Sequence, residues 1–436
     1  MDLLSCCSSS TFNFYRAMNT TDQQILKQVL TLQGPAATKA DVHFFNGKKD
    51  ASGMSLREFD YICNPDGTLR WVYPKGQSRP VFLSMYHEAT WKARLYQAVT
   101  YAAFGCGMGE LMRKGNFRIG YEKQLKIEAW KEELGADEYA IFLGTAGVNR
   151  KSVVAFSTKR SVQYFLKVAH STAASALVEQ EKAMLKTLSR QSFSRVALPK
   201  QVVVDQPYLL LQATNRPPNA KQQEGISTLH IEALRQLYTP FVKTLPIGAT
   251  AFYQELQANL YHISRQEFEL QGPFQELYHL LTDLLQSIDT ELPIQVSLGH
   301  GDFTPWNMYV SAGRLHLIDW ELSRFELPLL YDAFHFCYQS GSLLKGEGYR
   351  SVQSRLNRML ALPETQSLIT YFGGDAATYE QLYLLYVVSY YVKKYLEAPT
   401  SASQMSRSLA LWNEALISQT PSSQSFSHSM SVPAHV

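Results

Sequence analysis

Hydrophobic and polar positions along the chain follow two rhythms, one of period two and one of helical period. Near the start, Phe59-Asp60-Tyr61-Ile62-Cys63 and Leu69-Arg70-Trp71-Val72-Tyr73 flank the turn Asn64-Pro65-Asp66-Gly67, which predicts a β-hairpin. Helical spacing follows over about 93–112 and 122–133, so residues 1–134 read as a small α+β accessory region. From residue 139 the rhythm becomes strand, turn, strand: Tyr139-Ala140-Ile141-Phe142-Leu143, the loop Gly144-Thr145-Ala146-Gly147, then Ser152-Val153-Val154-Ala155-Phe156. A third strand is predicted over 162–168 after the polar turn Thr158-Lys159-Arg160, then a helix over about 172–188 and two further extended pieces within 199–212. Beyond Pro217-Pro218 the pattern turns mostly helical, broken by a strand-like stretch and resumed from about 330 to 417. The Ser-rich residues 420–436 predict a disordered tail. The expected organisation is thus 1–134, then 135–214, then a helical part over 215–419.

Composition narrows the function classes. A chain of 436 residues, 45% hydrophobic, has material for two or three domains. Lys plus Arg exceed Asp plus Glu by only 41 to 38, so no nucleic-acid partner is announced. Cys6, Cys7, Cys63, Cys106 and Cys337 show neither disulfide nor metal-ligand spacing, which fits a reducing compartment. The acid at position 2 and the lack of a long apolar core argue against a secretory signal, although the adjacent Cys6 and Cys7 are candidates for acylation. The longest uncharged apolar run, 95–109, is too short to span a bilayer, so a cytoplasmic protein without a membrane span is expected.

Most of the chemistry is concentrated in His300-Gly301-Asp302-Phe303-Thr304-Pro305-Trp306-Asn307 and in Leu317-Ile318-Asp319-Trp320-Glu321. Singly, each polar residue has an ordinary explanation: Asp302 as a turn cap, Asn307 as a loop residue, His300 as a satisfied core histidine. Jointly, an Asp, an Asn five residues on and a second Asp ending an apolar strand are what phosphoryl transfer needs. Asp302 would take the proton of an acceptor hydroxyl, and Asn307 and Asp319 offer oxygen ligands suited to Mg²⁺.

Upstream, Lys167 lies within the apolar strand Tyr164-Phe165-Leu166-Lys167-Val168, where it is either a surface lysine or a phosphate ligand. The following helix carries an apolar stripe of Ala174, Leu177, Met184, Leu185 and Leu188, and Glu181 falls on that stripe. An acid on a buried stripe needs a cation, for which Lys167 is the nearest candidate; Glu179 competes for the role, but the stripe favours Glu181. Gly144, Thr145 and Gly147 form a small-residue turn that lets backbone amides approach phosphates, or simply a hairpin loop. No Gly-rich segment ends in Gly-Lys-Ser or Gly-Lys-Thr, which argues against a P-loop.

The order Gly loop, Lys167, Glu181, His300-Gly301-Asp302 with Asn307, then Ile318-Asp319-Trp320-Glu321 resembles the aminoglycoside phosphotransferase and choline kinase-like superfamily over residues 135–415. The resemblance implies an α+β, bilobal protein-kinase-like fold with a small β-rich N-lobe and a larger helical C-lobe. It also implies ATP or GTP as donor with Mg²⁺, a small-molecule hydroxyl as acceptor, and Gln212 near the adenine. Asp332 would brace the catalytic loop, or else serve as a helix-start carboxylate. Trp306, where the family commonly has a small residue, would line the acceptor pocket or pack. With only about nine residues between Asp319 and Pro328 and no Ala-Pro-Glu segment, a peptide-phosphorylating kinase is disfavoured. The acceptor is not written in the sequence: Glu267, Glu269, Glu276 and Glu291 would suit an aminoglycoside or mark solvated helix faces, and Tyr331, Tyr338, Tyr383 and Tyr386 would stack on a sugar ring or pack in the core. Other classes to weigh are a catalytically silent nucleotide- or partner-binding protein and a metal-dependent hydrolase, which lacks a second His cluster.

Overall fold

Nine strands pair into one sheet in the order β1-β4-β2-β3-β5-β6-β7-β10-β9, and this sheet organises the first half of the chain. The computed structural model describes residues 19–32, 42–45, 54–64, 66–86, 91–158, 162–205, 208–212, 225–397 and 402–420. Cys6, Cys7, Lys159, Arg160, Pro217, Pro218 and the tail residues 421–436 lie outside the described residues.

The chain divides into two compact units, Met1–Val178 with Val202–Gln212, and Glu179–Gln201 with Ala213–Val436. The sheet strands are β1 (Val42–Phe45), β2 (Ser55–Cys63), β3 (Leu69–Pro74), β4 (Gly115–Tyr121), β5 (Glu138–Phe142), β6 (Lys151–Ser157), β7 (Val162–Ala169), β9 (Lys200–Asp205) and β10 (Tyr208–Gln212); β8 (Val196–Ala197) belongs elsewhere. Helices α1 (Thr20–Thr31), α2 (Trp91–Gly105), α3 (Lys126–Glu133) and α4 (Thr172–Leu188) alternate with them.

Both faces of the sheet are covered. On one face Leu26, Val29 and Leu30 of α1 and Ile127 of α3 join Phe59, Ile141, Val154, Leu166 and Val168 in one buried cluster. On the other, Trp71, Tyr73, Ala140 and Ala155 pack with Phe82 and with Phe104 of α2. Strand alternation sends residues 166 and 168 to the first face, which leaves Phe165 and Lys167 for the second. The hairpin of β2 and β3 forms as expected, with Tyr61 opposite Val72. Among the elements that escaped the sequence reading are β1, which pairs with β4; α1, capped by Asn19 through a bond from the Asp22 amide; and β4 itself, whose Phe117 and Ile119 alternate inward. Because β3 pairs with β5 at Trp71–Phe142 and Val72–Ile141, the sheet runs without interruption past residue 135.

The second unit is mostly helical, so the α+β class expected from the sequence is the one observed. It contains α5 (Thr228–Tyr238), α6 (Ala251–Ser264), α7 (Pro273–Gln286), α8 (Tyr331–Gln339), α9 (Tyr349–Leu360), α10 (Pro363–Phe372), α11 (Ala376–Glu397) and α12 (Ala402–Ser418). Leu382, Leu384, Leu385 and Val388 of α11 are fully buried at its centre. Two three-stranded sheets edge the helices. In one, β12 (Pro293–Gly299) lies between β11 (Lys243–Pro246) and β15 (Arg324–Pro328); in the other, β14 (Arg314–Leu317) lies between β13 (Met308–Ser311) and β8. The ends of β12 and β14 carry the residues of interest. Among the described residues no helix is long and apolar enough to cross a membrane.

Candidate active site

Strand β12 delivers the chain into His300-Gly301-Asp302, and the turn there is over-determined. Gly301 has φ +80°, and a Cβ built on it would lie 2.1 Å from the Leu322 carbonyl oxygen, so only glycine fits. Asp332, in the first turn of α8 and fully buried, accepts the backbone N–H groups of His300 (2.7 Å) and Gly301 (3.0 Å). Burial pushes its carboxyl above the ordinary value, while the His300 imidazole and these two amides pull in the opposite direction. Of the two readings of Asp332, the structure supports the brace: its carboxylate bonds to the loop rather than to its own helix.

His300 itself is fully buried and links the loop to β14. The Asp302 amide donates to Nδ1 at 3.3 Å, which leaves Nε2 as the donor to the Ile318 carbonyl at 3.0 Å. Asn307 closes the short turn Pro305–Asn307, with its backbone carbonyl accepting the Ile318 amide at 3.0 Å. Its Nδ2 donates to the Asp302 carbonyl (3.1 Å) and to Asp302 Oδ2 (2.7 Å). Those two bonds fix the amide orientation, so Oδ1 is the atom left to serve as a ligand.

The other carboxylate oxygen of Asp302 meets a residue to which the sequence reading gave no role. His335 Nε2 of α8 lies 3.3 Å from Asp302 Oδ1, and the Tyr383 hydroxyl of α11 lies 3.4 Å from His335 Nδ1. With Nε2–H donating to the carboxylate, Nδ1 accepts from the tyrosine. The signal available in the sequence was spacing: three residues beyond Asp332 on a helix, His335 shares a face with it. The four tyrosines weighed as ring-stacking or core groups, Tyr331, Tyr338, Tyr383 and Tyr386, are all buried, which supports the core reading. Trp306 is half-buried, and the acidic Glu269, Glu276 and Glu291 lie on exposed positions.

At the end of β14, Asp319 takes the left-handed conformation, φ 68° and ψ 64°, which costs a non-glycine residue about 1–2 kcal/mol. Oxygens of Asp319, Glu321 and Glu181 lie within 4.8 Å of one another. Glu181 is fully buried, as the helix stripe predicted, whereas Glu179 is partly exposed and pairs with Lys182. Glu181 Oε1 also accepts the Trp320 amide at 3.4 Å, and Gln180 Nε2 donates to the Ser323 carbonyl at 2.7 Å, tying α4 to the segment after Asp319. A set of hard carboxylate oxygens fits Mg²⁺ by donor chemistry. Glu321, not singled out from the sequence as a ligand, joins Asp319 in that set.

The remaining candidates belong to the first unit. Lys167 is half-buried on β7, opposite Val153 of β6 and Leu209 of β10. Gly144 has φ +75°, and a Cβ there would lie 2.0 Å from the Lys151 carbonyl oxygen, so the hairpin itself demands this glycine. Thr145 and Gly147 are exposed in the same loop, Gly147 at φ +149°. Gln212 is exposed at the end of β10, opposite Tyr164.

Residues 146–350 match the family model described as the phosphotransferase enzyme family. No curated protein matches the sequence. Among solved structures, similarity is found to an ADP-bound aminoglycoside phosphotransferase, with 11% identity, 67% of this chain and 97% of that chain covered, and a TM-score of 0.43. It extends to a streptomycin–ATP ternary complex of another such enzyme (12% identity, 66% and 96% covered, TM-score 0.45) and to a choline/ethanolamine kinase family protein from Mesorhizobium loti (13%, 65% and 90%, TM-score 0.36).

Proposed function

We propose that the protein transfers the γ-phosphoryl group of ATP or GTP to a hydroxyl of a small molecule, a reading supported by the match of residues 146–350 to the phosphotransferase enzyme family. The observation that carries this reading is the Asp302 carboxylate, held at one oxygen by Asn307 and at the other by His335, on a loop braced by Asp332. Asp302 is the base: it orients the acceptor hydroxyl and takes its proton as the oxygen attacks phosphorus. In a loose transition state most of the catalytic gain comes from positioning, and a carboxylate fixed at both oxygens is suited to that task.

Asp319 and Asn307 are the proposed Mg²⁺ ligands, with Glu321 beside Asp319 supporting the same centre. Held by these residues, Mg²⁺ would supply positive charge against the transferring phosphate. Lys167 is assigned to the α- and β-phosphates with Glu181 as its positioning acid, Gly144, Thr145 and Gly147 to backbone contacts with phosphate, and Gln212 to the nucleobase. The mutually supporting hydrogen bonds around Asp302 favour this reading over a silent nucleotide-binding protein.

The test is transfer of labelled γ-phosphate from ATP or GTP to a panel of sugars, amino alcohols and aminoglycosides. Labelled product that requires Mg²⁺ and is lost in Asp302→Asn supports the assignment. Label released only as inorganic phosphate, unchanged in Asp302→Asn, contradicts it.

A further inference from the structure

The loop between β5 and β6 is tied across its base by Arg150. Its Nε donates to the carbonyl of Leu143, the residue before the loop, at 3.0 Å, and its amide donates to the Gly147 carbonyl at 3.2 Å. From the same guanidinium, Nη2 reaches Asp22 Oδ1 of α1 at 2.9 Å, a contact spanning 128 residues of sequence. Asp22 is only 2% exposed and is itself fixed: Oδ2 accepts from Asn19 Nδ2 at 2.9 Å and from the Leu69 amide at 3.3 Å.

A second tie lies on the strand that bears Lys167. His170, three residues beyond it, donates from Nδ1 to Gln28 Oε1 of α1 at 2.8 Å and accepts at Nε2 from the Ser152 hydroxyl at 2.7 Å. The His170 amide in turn donates to the Arg150 carbonyl at 3.3 Å. One helix of the N-terminal region thus holds the end of the loop and the strand after Lys167. Residues 145–148 between these ties are exposed.

We propose that Asp22 and Arg150 are positioning residues for the nucleotide phosphates, and that α1 works as a built-in brace of the loop carrying Gly144, Thr145 and Gly147. This rests on the phosphotransferase reading above and assigns the N-terminal region a part in it. Backbone amides bind an anion well only when their geometry exists beforehand, because a loop ordered on binding loses affinity to that ordering. A guanidinium with two fixed acceptors supplies such pre-ordering.

The experiment uses the full chain with Asp22→Asn, Arg150→Gln and the double variant, measuring nucleotide KM, acceptor KM and kcat. The expected result is a rise of about tenfold in nucleotide KM with kcat and acceptor KM nearly unchanged. The double variant should be no worse than the poorer single one, since both break one link. If Asp22→Asn does not fold, Arg150→Lys keeps a cation for Asp22 but lacks the fork that also reaches Leu143, and the same rise in nucleotide KM is expected. Nucleotide KM equal to wild type, or a uniform loss in all three constants together with a lower melting temperature, overturns the proposal and leaves a merely structural tie. A wild-type protein that binds no nucleotide overturns the phosphotransferase reading itself.

Discussion

His335 Nε2 lies 3.3 Å from Oδ1 of Asp302, so the carboxylate assigned as base is held from the side opposite Asn307. A glutamine amide can place an N–H where His335 Nε2 stands, whereas leucine cannot. His335→Gln is therefore expected to keep kcat within about tenfold of wild type, and His335→Leu to lower it by about 100-fold with nucleotide KM little changed. Steady-state kinetics on the two variants checks this; equal losses in both would assign His335 to packing.

Asp332 satisfies two buried amides at once. Asp332→Ala leaves the His300 and Gly301 N–H groups without their acceptor, and each buried unsatisfied group costs about 1–3 kcal/mol. A loss of about 2–5 kcal/mol in unfolding free energy is expected by denaturant titration, with transfer activity abolished because the loop that carries Asp302 is released.

Gly301→Ala meets both a left-handed backbone and a carbonyl oxygen 2.1 Å from the new methyl group. The expected destabilisation is about 2–5 kcal/mol, read as a lower melting temperature. Gly135→Ala, where φ is +61° but the space is open, serves as the comparison and should lose only about 1 kcal/mol.

Two histidines make the fold acid-sensitive. Burial lowers the imidazole of His170, beside Arg150, and that of His230 from 6.5 to about 4. Each is neutral in the folded protein and protonated at higher pH in the unfolded chain, so the unfolded state binds more protons between 6.5 and about 4. Stability therefore falls as pH drops through that window, by up to about 3 kcal/mol per histidine. Melting temperature followed from pH 7 to 4.5 should decline less steeply in His170→Gln than in wild type.

Much of the fold near the site could be read from the chain because its cues are local. The helix over Thr172–Leu188 and the burial of Glu181 follow from a 3.6-residue stripe, and β5, β6 and β7 from period-two alternation ending in turn residues. What stayed hidden depends on distant partners. Nothing local marks Asp22 as the partner of Arg150, and helical spacing sets His335 on the face of Asp332 without pointing to Asp302 as its partner. β4 was passed over because the flanking helical patterns masked its Phe117 and Ile119 alternation. Gly144 reads from the sequence as part of a phosphate loop or of a plain hairpin turn, and the Lys151 carbonyl packed against it requires glycine for the hairpin alone. Tyr331, Tyr338, Tyr383 and Tyr386 read from the sequence as ring-stacking or core groups, and their burial where α8 and α11 pack together supports the core reading.

The most direct measurement is thermal unfolding of the full chain with and without millimolar Mg·ATP or Mg·GTP, for wild type and Asp319→Ala. A ligand at about a hundredfold its dissociation constant adds roughly 2.7 kcal/mol to the folded state, enough for a clear rise in midpoint. A rise that needs Mg²⁺ in the wild type and disappears in Asp319→Ala is the predicted result. No rise with either nucleotide, or one of equal size in the variant, contradicts the account.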